Sequence, residues 1–270
     1  SGEKTIESII AEEPMVRGIL KAVDAKKRSL TISTSLGREP ADDEKTFQAA
    51  DDAEVAIDDG RGRRFSIHEG KLEDLTQGAI VTLRLSLDKT RVHSILAEGA
   101  IVHGTVKEVD AKKRSLVLVV RPARGEDAGE ERTVTVAKEA VVRIDDGKGR
   151  RLSVKEGKLA DVPIGAAVTA KLSVDQNFVM MLKADGPMLA GLLKGVDADK
   201  GTITIGIPKS RTEFDEKTLP LANDAVVTLD GNAAKLADLK VGDDGPFIQL
   251  RLSLDQKTVQ NLTARQPGSR

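Results

Sequence analysis

Apolar and polar residues alternate along most of this chain with a period of two, the mark of strands buried on one face. Within 15–99 the alternation predicts strands at Val16–Val23, Ser29–Thr34, Lys45–Ala49, Glu54–Ile57, Arg64–Ile67, Ile80–Leu87 and Val92–Ala97. Matching strands begin near Ile101, Ser115, Arg132, Val141, Arg151, Ala167 and Phe178. Between them stands "KLEDL", "KLADV" or "KLADL", too short for more than one helical turn. Only the first residues, "EKTIESIIAEEP", switch to a helical spacing, with Ile6, Ile9 and Ile10 on one face and Pro14 as a stop. The pattern predicts an all-β protein with a short N-terminal helix.

The pattern also repeats. Gly18, Gly104 and Gly191 open "GILKAVDAKKRSLTI", "GTVKEVDAKKRSLVL" and "GLLKGVDADKGTITI", at spacings of 86 and 87. Each copy closes on a long strand-like piece such as "VTLRLSLDKTRVHSILAEG". The expected organisation is a helical segment or linker at 1–14, units at 15–99, 100–187 and 188–265, and a tail at 266–270. The third unit is shorter, lacking the counterpart of "GRGRRFSIHE". The period exceeds that of solenoid units, about 20–50 residues, so each unit is read as a small core of its own. Five to seven short strands with one helical turn predict an OB-like barrel, with a sandwich as the other possibility. Linkers of a few residues, "AEGA" and "ADGPM", bring adjacent barrels into contact.

Gly18-x-Leu20-x-x-Val23-Asp24, then Val55-x-Ile57-Asp58, then a "KLADL"-type segment with a Gly three residues on, resembles a tandem β-barrel repeat of many bacterial proteins, often appended to other domains. The resemblance covers nearly the whole chain after Pro14. It implies a repeat of unknown function without established catalytic chemistry, and so no catalytic residues to carry over. Units 1 and 2 depart from it by the inserted "RGRRFSIHEG" and "KGRRLSVKEG".

Composition narrows the function. The net charge is -1, from 42 basic and 43 acidic residues, so no global field gathers DNA or an anionic membrane. Cysteine is absent, which removes disulfides, thiolate nucleophiles and Cys-ligated metals but does not place the compartment. No apolar run is long enough to span a membrane. Trp and Tyr are absent and Phe occurs five times, so stacking platforms for bases or sugars are scarce. Ser1-Gly2 reads as the scar of a cleaved tag.

One octapeptide, "VDAKKRSL", stands at both Val23–Leu30 and Val109–Leu116. In unit 3 the matching stretch is "VDADKGTI", where Gly201 aligns with Arg28 and Arg114. A hairpin whose backbone turns to positive φ explains the Gly, and Asp24, Asp110 and Asp197 suit the start of such a turn. Arg at that position costs about 1 kcal/mol relative to Gly. The basic residues are expected at a solvated tip; contact with a partner is the other reading. "IDDGRGRR" and "IDDGKGRR" look superficially like calcium loops, but lack the alternating ligands and closing Glu. They read as Gly-rich hairpin loops. Gly60, Gly78, Gly147, Gly165, Gly201, Gly231 and Gly242 are the expected turn residues.

No triad spacing, P-loop or dinucleotide fingerprint appears. His68, His93 and His103 have no metal-type partner nearby in sequence and read as surface residues. No metal and no cofactor is expected. The expected function is a non-catalytic structural or protein-interaction module, part of a larger bacterial protein, with a protein as partner. The alternative is polyanion or nucleic-acid binding through Lys26, Lys27, Arg28, Arg61, Arg63 and Arg64 of unit 1 and Lys112, Lys113, Arg114, Lys148, Arg150 and Arg151 of unit 2.

Overall fold

The computed structural model describes residues 13–34, 44–61, 66–120, 129–147, 154–210, 213–241 and 245–266. It is all-β, with three six-stranded sheets in series. Unit 1 holds β1 (Met15–Asp24), β2 (Ser29–Ser33), β3 (Glu44–Asp58), β4 (Ile67–Gly70), β5 (Ile80–Leu85) and β6 (Val92–Glu98). Unit 2 holds β7 (Ile101–Asp110), β8 (Ser115–Val120), β9 (Glu131–Asp145), β10 (Val154–Gly157), β11 (Ala167–Leu172) and β12 (Phe178–Asp185). Unit 3 holds β13 (Met188–Asp197), β14 (Thr202–Pro208), β15 (Phe214–Leu229), β16 (Asn232–Ala233), β17 (Phe247–Leu252) and β18 (Val259–Arg265).

Inside unit 1 the pairing runs in a ring. Strand β1 lies antiparallel to both β2 and β5. Strand β5 pairs with β6, β6 runs parallel to β3, and β3 returns antiparallel to β2. Strand β4 hangs on the far end of β3 as a hairpin. Units 2 and 3 repeat the same scheme. Closing five strands forces tight approaches. A Cβ on Gly18 would lie 2.4 Å from the Ser33 carbonyl oxygen, and Gly104 and Gly191 meet the Val119 and Gly206 carbonyls in the same way. That is why each unit opens on glycine.

The strands expected at Lys45–Ala49 and Glu54–Ile57 are one strand, β3. Its first part pairs with β2 and its second with β6, with a register shift between Ala49 and Glu54. The change of partner interrupts the alternation, which makes one bent strand look like two. The strand expected from Arg64 begins at Ile67; residues 62–65 are outside the described residues. The expected N-terminal helix also lies outside them, and the described helical structure is three single 3-10 turns. Each turn sits in the "KLxD" segment, where a carboxylate accepts from the backbone N–H three residues earlier: Asp74 from Lys71, Asp161 from Lys158 and Asp238 from Lys235.

The cores are aliphatic. Leu20, Leu30, Ile32, Leu83 and Ile95 are fully buried in unit 1, each worth about 1.5–3 kcal/mol against exposure. The sequence predicts a self-contained core for each unit, and the structure departs from that. Val174 of unit 2 belongs to the core of unit 1, and Leu254 of unit 3 packs on the core of unit 2. Successive sheets are finished by their successors, in a solenoid-like series.

Candidate functional site

The hairpin between β1 and β2 carries the octapeptide. Asp24 accepts from the Lys27 backbone N–H at 2.9 Å, and Asp110 and Asp197 do the same for Lys113 and Lys200. The backbone then turns through positive φ: 54° at Arg28, 55° at Arg114 and 63° at Gly201. Neither arginine projects from a tip. Arg28 Nε donates to the Ala50 carbonyl at 3.1 Å, and its Nη2 reaches the same oxygen. Arg114 Nε donates to the Val136 carbonyl at 3.0 Å, and its Nη2 to Ala137. These carbonyls lie where β3 and β9 change partners and leave the ladder. Lys26, Lys27, Lys112 and Lys113 stay exposed.

The "IDDG" segments lie at the junctions between units. Asp58 accepts from the Gly60 N–H at 2.9 Å, and Asp145 accepts from Gly147 at 3.0 Å. Gly60 is buried against Met180 of unit 2, and Gly147 against Leu252 and Arg251 of unit 3. Arg61 reaches Glu139 of unit 2 at 3.1 Å. Arg63, Arg64, Lys148, Arg150 and Arg151 lie outside the described residues, as does Gly242. Gly60, Gly78, Gly147, Gly165, Gly201 and Gly231 all have positive φ.

The first junction is built from residues that sequence reasoning passed over. The hairpin between β11 and β12 inserts Val174 beneath unit 1, and the Val174 carbonyl accepts from Thr76 Oγ1 at 2.6 Å. Gln176 donates to the Gln77 carbonyl beside Gly78. Lys171 Nζ lies 2.6 Å from Asp58 and 3.2 Å from Glu98, with only 12% of its side chain exposed. Burial opposes the Lys171 charge, but Asp58 and then Glu98 outweigh it and raise its pKa. Burial likewise opposes the Asp58 charge, yet hydrogen bonds from Lys171 and the Gly60 N–H hold its pKa below the usual value. Gly99 lets the chains meet: a Cβ there would sit 1.7 Å from the Leu172 carbonyl oxygen.

The second junction repeats the design. Leu254 packs on the core of unit 2, Gln256 donates to the Ile164 carbonyl at 3.2 Å, and a Cβ on Gly186 would sit 1.8 Å from the Leu252 oxygen. Its ionic part is weaker. Lys183 of unit 2 itself takes Asp145 at 3.0 Å and Asp185 at 3.2 Å, leaving Arg251 3.9 Å from Asp185. The signal for both junctions was the repeated "LSxDQ", which sequence reasoning explained as a strand and a turn. The serine does make that turn: Ser173 Oγ donates to Asp175 and accepts from the Phe178 N–H.

Beside the first junction lies an open groove of about 740 Å³, lined by Asp59, Glu69, Asp74, Glu139 and Asp175 over Phe178 and Met180. Its acidic wall does not suit a polyanion. His68, His93 and His103 are exposed. Among the described residues no group of three His, Cys, Asp or Glu is placed to hold a metal, and no helix is long and apolar enough to cross a membrane. The fold and junctions define an all-β tandem-repeat protein. No protein-family model matches the chain, and no curated protein matches its sequence.

Proposed function

We propose that the protein is a non-catalytic scaffold in which three OB-like barrels form one stiff rod that holds protein partners at fixed spacing, as part of a larger bacterial protein. The OB-like assignment rests on connectivity. Counting the five strands of the ring, the third runs parallel to the fifth, the first lies between the second and the fourth, and the hairpin and 3-10 turn fall between the third and the fourth. The observation that carries the scaffold reading is the repeated junction. An apolar plug, a side-chain amide hydrogen bond and a glycine contact recur at both joints, and they fix the angle between neighbours rather than leave a hinge.

Small-angle scattering on the full chain tests this. A single extended shape, unchanged by salt, is expected; a broad distribution of shapes refutes a stiff rod. Turnover on a substrate panel, abolished by one substitution, refutes the non-catalytic part. Arg28, Arg114 and Arg61 are held by protein groups, so a polyanion surface would rest on Lys26, Lys27, Lys112 and Lys113 and on basic residues outside the described set. Salt-sensitive capture of heparin by the chain would favour that second reading.

A further inference from the structure

We infer that the leading face of unit 1 is a preformed docking plug for a second protein that presents an apolar socket rimmed by carboxylates. The inference rests on the scaffold reading and names the kind of partner the rod takes. The residues are those that, one unit later, make the first junction. Leu87 stands where Val174 and Leu254 stand, Arg84 where Lys171 and Arg251 stand, and Lys89 where Gln176 and Gln256 stand. The hairpin already has the docked conformation. Lys89 has φ 60°, against 59° at Gln176 and 63° at Gln256, and its N–H donates to Ser86 at 2.8 Å, as Gln176 does to Ser173 at 2.9 Å. Yet Leu87 is 61% exposed, while Val174 is 6% exposed in the core of unit 1.

Charge says what the occupant carries. Around Leu87 the exposed side chains include the cations Arg84, Lys89 and Arg91; of the described acids, Asp88 is turned onto Ser86 and Thr90, and Glu13 precedes Pro14, whose carbonyl accepts from the Leu85 N–H. In unit 2 the position of Arg91 is Phe178 and that of His93 is Met180, so unit 1 has exchanged apolar side chains for a cation and a polar ring. The first junction shows what such a cation meets: Lys171 sits between the carboxylates of Asp58 and Glu98. An apolar centre with Arg84, Lys89 and Arg91 beside it, more cations than acids, fits a carboxylate-bearing rim around an apolar socket, and complementary charge steers such an encounter.

A second copy of this chain is not the occupant. At the trailing face of unit 3, Asp230 stands where Asp58 and Asp145 stand and accepts from the Gln266 N–H at 3.0 Å, but Arg265 replaces the second carboxylate, Glu98 or Asp185, and Gln266 replaces Gly99 and Gly186. Arg265 would face Arg84, and Gln266 carries the Cβ that the tight contact excludes. Among the described residues nothing lies within 4 Å of a Cβ on Gly231, and Leu236 is half-buried where Leu72 and Leu159 are buried. Arg265 and Gln266 thus set the trailing face of unit 3 apart from those of units 1 and 2.

The test makes the missing socket. Arg265→Glu with Gln266→Gly, in the full chain, restores a carboxylate and a glycine at the trailing face of unit 3. Sedimentation velocity over a concentration series is the readout, with melting curves to confirm folding. Gln266→Gly alone serves if the double variant melts early. The wild type is expected to stay monomeric. The variant is expected to associate head to tail, less so in high salt, and adding Leu87→Asp is expected to weaken association at least about thirtyfold. A folded variant that sediments like the wild type overturns the inference, as does association that survives Leu87→Asp. Heparin capture lost on Arg84→Glu with Arg91→Glu, with no association of the re-opened chain, overturns it in favour of a polyanion. A stiff rod in scattering without association refutes the plug alone and leaves the scaffold reading standing.

Discussion

Arg28 donates its guanidinium to the carbonyl of Ala50, closing the β1–β2 hairpin onto the bend of β3. The side chain that makes the backbone conformation unfavourable also supplies the compensation. Arg at positive φ costs about 1 kcal/mol against Gly, while a hydrogen bond from a charged group, here to the half-buried Ala50 carbonyl, contributes about 1.5–3 kcal/mol. Arg28→Gly is therefore expected to destabilise unit 1 modestly, by about 1 kcal/mol. Arg28→Ala keeps the strained φ and loses the bond, so about 2–3 kcal/mol is expected. Urea titration of both variants ranks them; an Arg28→Gly variant more stable than the wild type would refute the compensation.

Val174 and Leu87 occupy the same place in successive units with opposite surroundings. Val174→Ala should cost about 2 kcal/mol, because it opens a void in the core of unit 1. Leu87→Ala should fall within about 0.5 kcal/mol of the wild type. Thermal melts of the two full-length variants check the contrast.

Gly99→Ala places a methyl against the Leu172 carbonyl, backbone against backbone, and the joint must open to admit it. The expected result is a larger radius of gyration with each unit still folded. Gly231→Ala meets none of the described residues and bears the strain of φ 84°, about 1 kcal/mol. Scattering profiles that do not separate the two variants would count against the tight joint.

Lys171, Asp58 and Glu98 give the first junction a pH window. The Asp58 pKa is lowered on folding, so its contribution is present above the unfolded value near 3.8 and is lost as pH falls through the lower folded value. The Lys171 pKa is raised, so its contribution is complete below about 10.5 and is lost as pH rises through the higher folded value. Between these limits stability from this cluster should be flat. Lys171→Met leaves two carboxylates facing each other and should cost about 3 kcal/mol at neutral pH. In that variant the alkaline loss that belongs to Lys171 should vanish and the acid-side loss from Asp58 should weaken, which melting temperature against pH will show.

The repeat, the strands and the turns were legible because each leaves a local pattern. Alternation gives Val81, Leu83 and Leu85 as inward residues, and all three are buried. Aligning Gly201 with Arg28 and Arg114 located a position of positive φ. What was not legible is where a side chain ends. Arg28 looked like a solvated cation because its acceptor is set by a bend 22 residues away. Lys171 gave no signal because its partners lie 113 and 73 residues back, in another unit. "LSxDQ" explains itself as a turn, and a motif with a sufficient local reason hides a second, distant one.

Val174 carries a further consequence, for the order of events during synthesis. A chain emerges from the ribosome N-terminal end first, and domains tend to fold in that order. Unit 1 can pair its six strands once Glu98 has emerged, but its core still lacks Val174. That residue arrives only with the hairpin between β11 and β12, most of a unit later. Units 1 and 2 thus each wait for a successor to seal them, and maturation runs down the rod one joint behind translation.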